Sequence, residues 1–461
     1  MVDLSCPRCD TLLTITSGED FHCPACRVEF PSLQVGSGTV PFLWSEPGAA
    51  LLDWRNRYNL ALAEVEQQRA NASASSPTGA HAQQRIALLK QALARYQIEL
   101  TTLLKPLNIG EALAKETHLA LRTRLPGHHG ILSYAQNIHR DWCWGNKENQ
   151  LTLDHLADAW QQTAGDSKPD NVLVLGCGAG RLAYDLHQRL APKQTWALDS
   201  NPLLCLLGQR MANGECIELT EFPLAPVSIS DSAVPRTLTA PQPVSGLHFI
   251  CADALRLPFA AGQFDLVVTP WLLDVIDASV PAVLQVIAHA LQPGGRWLNQ
   301  GSVAFTGALP ANQLTAPELR ELTEAYGFNV EYAEDVALPY LQSPASRQQR
   351  TEITYTQIAR RGKNLQNHTI NRHQHLPDWI VIGQTPVPLT PGFQTQITTT
   401  RVHAFIMSLI DGKRSVLEIA QVLEAQRLMP ADQAATAIRL FLTTMHEESA
   451  ALQGTAAGLT D

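Results

Sequence analysis

The nine cysteines of this 461-residue chain are unevenly spaced. Four form two close pairs, Cys6-Pro7-Arg8-Cys9 and Cys23-Pro24-Ala25-Cys26, separated by 13 residues. Each pair sets two thiolates on one tight turn, and the intervening hairpin can bring all four sulfurs around one tetrahedral ion. Zinc suits such a set, because it imposes no geometry of its own and keeps the thiols deprotonated. Four sulfurs leave no open ligand position, so the metal would be structural. A single pair would leave a redox dithiol or a disulfide open; two in tandem favour zinc. The other five cysteines stand singly in apolar or motif segments, the usage expected of a reducing compartment, and cytoplasm is the expectation.

A second chemical signal begins at Val172. The apolar run Val172-Leu173-Val174-Leu175 leads directly into Gly176-Cys177-Gly178-Ala179-Gly180. Glycines at that spacing let the backbone turn sharply and let a ligand approach the main chain as a helix opens. Alone, this turn fits either a nucleotide cofactor or plain structure. Asp199 closes the next apolar run, 23 residues after Gly176, where a carboxylate can accept both hydroxyls of a ribose. Asp253, in Cys251-Ala252-Asp253-Ala254, follows the run after that. Phe264-Asp265-Leu266-Val267-Val268 then precedes Pro270 and Trp271, and Leu291-Gln292-Pro293-Gly294-Gly295-Arg296 turns into a late strand.

These residues need elements to position them. Strands are expected at Val172–Leu175, Thr195–Leu198, Leu247–Cys251, Phe264–Val268 and Arg296–Gln300, with a helix at Leu182–Leu190. Such alternation points to a parallel sheet covered on both faces. The Pro-, Ser- and Thr-rich stretch Phe222–Gly246 reads as a long inserted loop. Residues 1–45 form the cysteine unit, and 46–125 a helical region broken at Asn71–Gly79. In it Trp54, Tyr58, Leu62 and Val65 recur at the spacing of a packed helix face. Residues 126–362 carry the strand–helix alternation, 363–392 a linker, and 393–450 a small, mainly helical C-terminal domain. Its helices are expected at Val402–Leu409, Ser415–Gln426 and Ala431–Glu447. The net charge of −9 does not match a general nucleic-acid binder, and no apolar run is long enough for a membrane span. His128, His129, His368, His373 and His375 lack the spacing of a metal site and read as solvated side chains.

The order of signals from Val172 to Arg296 resembles the class I methyltransferases and differs from the dehydrogenases. That resemblance implies an α/β, Rossmann-like core binding S-adenosylmethionine through Gly176, Gly178, Gly180, Asp199, Asp253, Ala254 and Pro270. Tyr134-Ala135-Gln136-Asn137-Ile138-His139-Arg140-Asp141-Trp142, with Trp297-Leu298-Asn299-Gln300-Gly301 and Tyr326-Gly327-Phe328-Asn329-Val330, narrows it. Over about Ile131 to Arg361 the chain is similar to the carnosine N-methyltransferase family. The resemblance implies that Asn137 and Arg140 hold the methionine end of the cofactor. It also implies that Asp274 orients the methyl acceptor and that Tyr340 lies beside it. By residue type alone, Arg140 and Asp141 could instead form a surface ion pair, and Asp274 a helix cap. The family's substrate-side histidine is Thr306 here, and its later tyrosine cluster is Arg350-Thr351-Glu352. Carnosine is therefore not implied; a small imidazole, an amine or a peptide is.

Residues 1–45, ending in Val28-Glu29-Phe30-Pro31 and Val40-Pro41-Phe42-Leu43, resemble the small zinc-ribbon activators of methyltransferases. Ile410-Asp411-Gly412-Lys413-Arg414-Ser415 through Ala420 resembles a winged-helix peptide-binding module. These resemblances imply a protein partner at either terminus. Three readings stay open: N-methylation of a small molecule, methylation of a protein or peptide recognised by the terminal modules, or a non-catalytic adaptor.

Overall fold

The computed structural model describes residues 2–16, 18–36, 38–109, 134–276, 278–305 and 312–362, and, further on, 386, 388–389, 394, 401, 404–428, 433–435, 438–439 and 442. The five histidines set aside above lie outside the described residues, as do Thr306 and most of the expected linker. The chain divides into two compact units, Met1–Ser73 with Thr78–Arg372, and Ala74–Pro77 with His373–Asp461.

In the first unit, short strands β1 (Thr14–Ile15), β2 (Phe21–His22) and β3 (Glu29–Phe30) form an antiparallel sheet that presents the cysteine pairs, and β4 (Ser32–Val35) and β5 (Gly38–Pro41) form a hairpin. Helices α1 (Pro47–Ala74) and α2 (Ala80–Leu104) follow. The expected break is present but narrower, since α1 continues three residues past Asn71. A short helix α3 (Ala135–His139) runs into one π-helical turn, Arg140–Trp144, and then α4 (Asn146–Ala164).

The main sheet has seven strands. They are β6 (Asn171–Leu175), β7 (Gln194–Asp199), β10 (Leu247–Cys251), β11 (Phe264–Pro270), β12 (Leu291–Gly301), β13 (Phe328–Tyr340) and β14 (Arg350–Arg361), in the order β10-β7-β6-β11-β12-β14-β13. Six of them run in one direction, and only β14 runs opposite, pairing antiparallel with both β12 and β13. Strand order reverses beside β6, which pairs with β7 on one side and β11 on the other. A ligand crevice opens at the carboxyl edge of such a switch point.

Period-two alternation distributes the strand side chains. Val172 and Val174 enter one apolar core with Trp54, Tyr58, Leu100 and Trp142, whereas Leu173 and Leu175 enter the other with Cys6, Cys23, Phe30 and Leu43. The N-terminal region therefore contributes to both faces of the sheet. Helices α5 (Arg181–Leu190), α6 (Pro202–Ala212), α7 (Val280–Ala290) and α8 (Ala316–Ala325) complete the layers.

The stretch Phe222–Gly246 is not a plain loop. Its β9 (Val234–Leu238) pairs antiparallel with β8 (Ile217–Glu221) over five residue pairs, from Ile217–Leu238 to Glu221–Val234. Glu221, 1% exposed, is held there by Arg236 at 2.7 Å, by Ser343 Oγ at 2.6 Å and by Trp144 Nε1 at 3.1 Å. The composition hid the pairing because β9 alternates exposed and half-buried positions and lacks the apolar run of a core strand.

In the second unit the described apolar residues Ile406, Leu409, Ile419, Leu423 and Ile438 form a small core. Helix α9 (Val416–Ala425) opens with a capping box, in which Ser415 Oγ accepts from Glu418 N and the Glu418 side chain accepts from Ser415 N. No described helix is long and apolar enough to cross a membrane.

Candidate cofactor and acceptor site

Five strand ends meet at one edge of the sheet. In register, Leu175 pairs with Leu198, Asp199 with Cys251, and Pro270 with Gln300. The turns that follow therefore share one crevice, a cavity of about 920 Å³. That is near the upper end for a ligand pocket and leaves room for a cofactor and a small acceptor together.

The glycine turn forms one wall. Gly176 N–H and Cys177 N–H both donate to Leu198 O, at 2.9 and 3.0 Å, which ties the turn to β7. Gly178 has φ +57, and a Cβ built on it would meet nothing within 4 Å, so the bare backbone faces open space. Gly180 serves a different purpose. A Cβ there would sit 2.4 Å from the Phe249 ring, and Gly180 does not line the cavity.

Asp199 is the polar centre of this wall. Its Oδ2 accepts from Gly178 N–H and its Oδ1 from Asn201 N–H, both at 2.9 Å. A carboxylate offers about four lone-pair directions, so its backbone donors leave acceptor capacity for a ligand. Burial pushes its pKa up to about 6, against the backbone donors of Asn201, Gly178 and Ser200. Asp253 and Ala254 line the same end.

The π-helical turn supplies the opposite wall. Trp142 Nε1–H donates to Ala179 O at 2.9 Å, and Arg181 Nη1 donates to Asp141 O at 2.8 Å, which fixes the turn on the glycine loop. π-helical turns recur at functional sites because the extra residue redirects a side chain. Here Arg140 reaches the cavity, with its Nη2 2.7 Å from Asp141 Oδ1 and its Nη1 3.5 Å from Glu148 Oε1. Burial would lower the arginine pKa, but the two carboxylates outweigh it and hold the guanidinium charged. Burial raises the carboxyls of Asp141 and Glu148 in turn, opposed by Arg140. The Arg140–Asp141 pair is thus buried, not a surface ion pair.

Tyr340, at the end of β13, carries Arg140 at 5.7 Å and Arg350 at 4.8 Å from its ring centroid. Asn137 Nδ2 donates to its hydroxyl at 3.4 Å, and Trp271 packs at 4.5 Å. Asp274 sits in the turn after β11. It does not cap α7, whose N-cap is Ser279. Its Oδ1 is buried without a hydrogen-bond partner. Burial raises its pKa, with the Ser302 hydroxyl and Ala304 N–H opposing. Gln300 is fully buried with both amide atoms unpartnered, and it lines the same cavity.

Of the residues expected to hold a cofactor or acceptor, Asn137, Arg140, Gly176, Gly178, Asp199, Asp253, Ala254, Pro270, Asp274 and Tyr340 all line the cavity. Sequence reasoning missed Glu148, Gln300 and the four residues Trp44, Asp53, Trp54 and Arg57. Trp54 lies on the helix face read as packing, and it is indeed buried, but its ring also borders the cavity.

The four N-terminal cysteines converge, with all four sulfurs within 4.8 Å of one another, the only such cluster among the described residues. Cys9 Sγ and Cys23 Sγ are 3.5 Å apart. Tetrahedral zinc with bonds of about 2.3 Å needs sulfurs about 3.8 Å apart, so the set fits. Arg8 N–H and Cys26 N–H point at Cys6 Sγ and Cys23 Sγ, at 3.4 and 3.3 Å, as donors that stabilise thiolates. Burial raises the Cys26 thiol to about 11, whereas hydrogen bonds from its neighbours outweigh burial at Cys9 and lower it to about 6.

Comparison with known proteins agrees with this architecture. Residues 173–298 match a family model described as a methyltransferase domain. Solved structures to which the chain is similar include the PH0226 protein of Pyrococcus horikoshii, 14% identical, covering 50% of this chain and 100% of that one at a TM-score of 0.34. The N-methyltransferase NodS of Bradyrhizobium japonicum is 15% identical and covers 47% of this chain and 98% of its own, at 0.32. The YcgJ protein of Bacillus subtilis is 13% identical and covers 46% and 99%, also at 0.32. No argument rests on likenesses of this size, and no curated protein matches the sequence. The family match and the mostly parallel seven-stranded sheet make the class plain: this chain carries a Rossmann-like methyltransferase domain.

Proposed function

We propose that the protein is an S-adenosylmethionine-dependent methyltransferase that N-methylates a small acceptor bearing an imidazole or amine nitrogen. One observation carries this reading. The glycine cradle and a buried, partner-seeking carboxylate oxygen, that of Asp274, border the same cavity.

When bound, the sulfonium cofactor supplies an electrophilic methyl carbon. The chain's residues do the rest. Gly176 and Gly178 give close backbone approach, Asp199 accepts ribose hydroxyls, and Asp253 with Ala254 borders the purine. Arg140 binds the carboxylate end, with Asn137 beside it and Pro270 closing the floor. Asp141 and Glu148, which flank Arg140, are placed to accept from the ammonium of the same amino-acid end.

Asp274 accepts an N–H from the acceptor and so aims the lone pair of the reacting nitrogen. Its charge also stabilises the positive charge that develops on that nitrogen. Tyr340 and Trp271 form the aromatic side of the acceptor space. The four cysteines hold a structural zinc. The second unit, with its Asp-Gly turn at Asp411 and capped α9, is read as a winged-helix-like module able to bind a peptide.

Incubation of a cell extract with cofactor labelled in its methyl group, followed by separation by size, tests the reading. Label is expected in the small-molecule fraction. Label confined to protein would favour the peptide or protein acceptor, and no enzyme-dependent label would favour a non-catalytic adaptor.

A further inference from the structure

The N-terminal region does more than pack. Trp44, Asp53, Trp54 and Arg57 all line the cavity, and two sets of contacts fix which end they occupy. Phe42 bridges Cys251 in parallel register, and Leu43 N–H donates to Cys251 O at 2.8 Å. The segment leading to Trp44 thus runs beside the strand that ends just before Asp253. Arg256 Nη1 donates to Ser45 Oγ at 3.1 Å and holds it there.

On the other side, Trp54 stacks on Tyr58 with centroids 5.7 Å apart. The Tyr58 hydroxyl donates to Asn201 Oδ1 at 2.5 Å and accepts from Leu203 N–H at 3.0 Å. Asn201 N–H in turn donates to Asp199. Trp44 therefore belongs to the Asp253 end and Trp54 to the Asp199 end.

Both indoles border the cavity. The Trp44 Nε1–H is buried without a hydrogen-bond partner, a donor that a purine ring nitrogen can satisfy. The Trp54 ring has the Arg57 guanidinium at 5.0 Å, itself paired with Asp53 at 2.8 Å, which limits its rotation. Indole faces stack readily on nucleobases.

We infer that Trp44 and Trp54 are nucleoside-binding residues, a wall of the purine and ribose site supplied by the N-terminal region, with Trp44 Nε1–H as a donor to the base. The inference rests on the reading of this cavity as a nucleotide-cofactor site. It makes residues 44–58 part of the ligand site itself rather than only a recruiting appendage.

Titration of the full chain with S-adenosylhomocysteine and, separately, adenosine tests it, with thermal melts alongside. Trp54→Ala is expected to weaken both ligands about tenfold. Trp44→Phe keeps a ring but removes the N–H, and should weaken both about threefold with an unchanged melt. Arg140→Ala should weaken S-adenosylhomocysteine and leave adenosine unchanged, which separates the two ends of the site. Wild-type affinity for both ligands in both tryptophan variants would overturn the inference alone. So would a loss confined to Trp54→Ala that merely follows a lowered melting temperature. Failure of the wild-type chain to bind either ligand would overturn the functional reading, and this inference with it.

Discussion

The guanidinium of Arg140 lies 5.7 Å from the ring centroid of Tyr340, so a π-helical turn ahead of the sheet and the end of a late strand meet over one cavity. A partly desolvated cation–π contact is worth about 0.5–2 kcal/mol. Tyr340→Ala should lower kcat/KM by about two- to thirtyfold. Tyr340→Phe should cost less than about threefold, because the ring remains and the Asn137 contact is long at 3.4 Å. Steady-state kinetics of the two variants checks this.

Asp274 should act on the acceptor and not on the cofactor. Asp274→Asn removes the charge while keeping the shape, and is expected to reduce kcat about a hundredfold, in the range of other lost electrostatic contacts. Its affinity for S-adenosylhomocysteine should stay at the wild-type level. Unchanged turnover in the variant would remove Asp274 from the mechanism.

Asp199 gives the site a pH dependence of known sign. Its carboxyl titrates near 6, raised by burial from 3.8. The ionised form accepts hydroxyls, so cofactor affinity should be flat above pH 6 and fall about tenfold per unit below it. Stability runs the other way. Between about 6 and 3.8 the folded state binds more protons at this group than the unfolded chain. Asp199 therefore favours the ligand-free fold increasingly as the pH falls through that window. Calorimetric titrations at stepped pH values, with Asp199→Asn as the reference, separate this group from the others.

The cysteine cluster should bind about one zinc per chain, measured by release to a colorimetric chelator. Cys6→Ser or Cys23→Ser removes a buried ligand and should lower both the zinc content and the melting temperature. Because Phe42 and Leu43 join this module to β10, zinc loss should also weaken cofactor binding. A metal-free protein with an unchanged melt would argue against a structural site.

Much of this was legible from residue order. A parallel core announces itself because its strands are buried on both faces, as Val172–Leu175 and Phe264–Val268 are. The glycine turn and the carboxylates at strand ends follow from the same topology. The two long antiparallel strands β13 and β14 were not legible. Phe328–Tyr340 carries charged residues on its exposed positions and reads as loop until its register with Arg350–Arg361 is known. The role of Trp54 was hidden for another reason: a helix stripe facing a core and one facing a ligand have the same spacing. Glu148 and Gln300 are ordinary in sequence, and only their burial beside a cavity distinguishes them.

The central claim is that the cavity between the glycine turn and the Arg140 turn holds a sulfonium nucleotide. Isothermal titration of S-adenosylmethionine into the full chain tests it most directly. Saturable binding at about one site per chain is expected, abolished by Gly178→Arg, whose side chain would fill the open cradle. No measurable heat with the wild-type protein, or the same isotherm with Gly178→Arg, would contradict it.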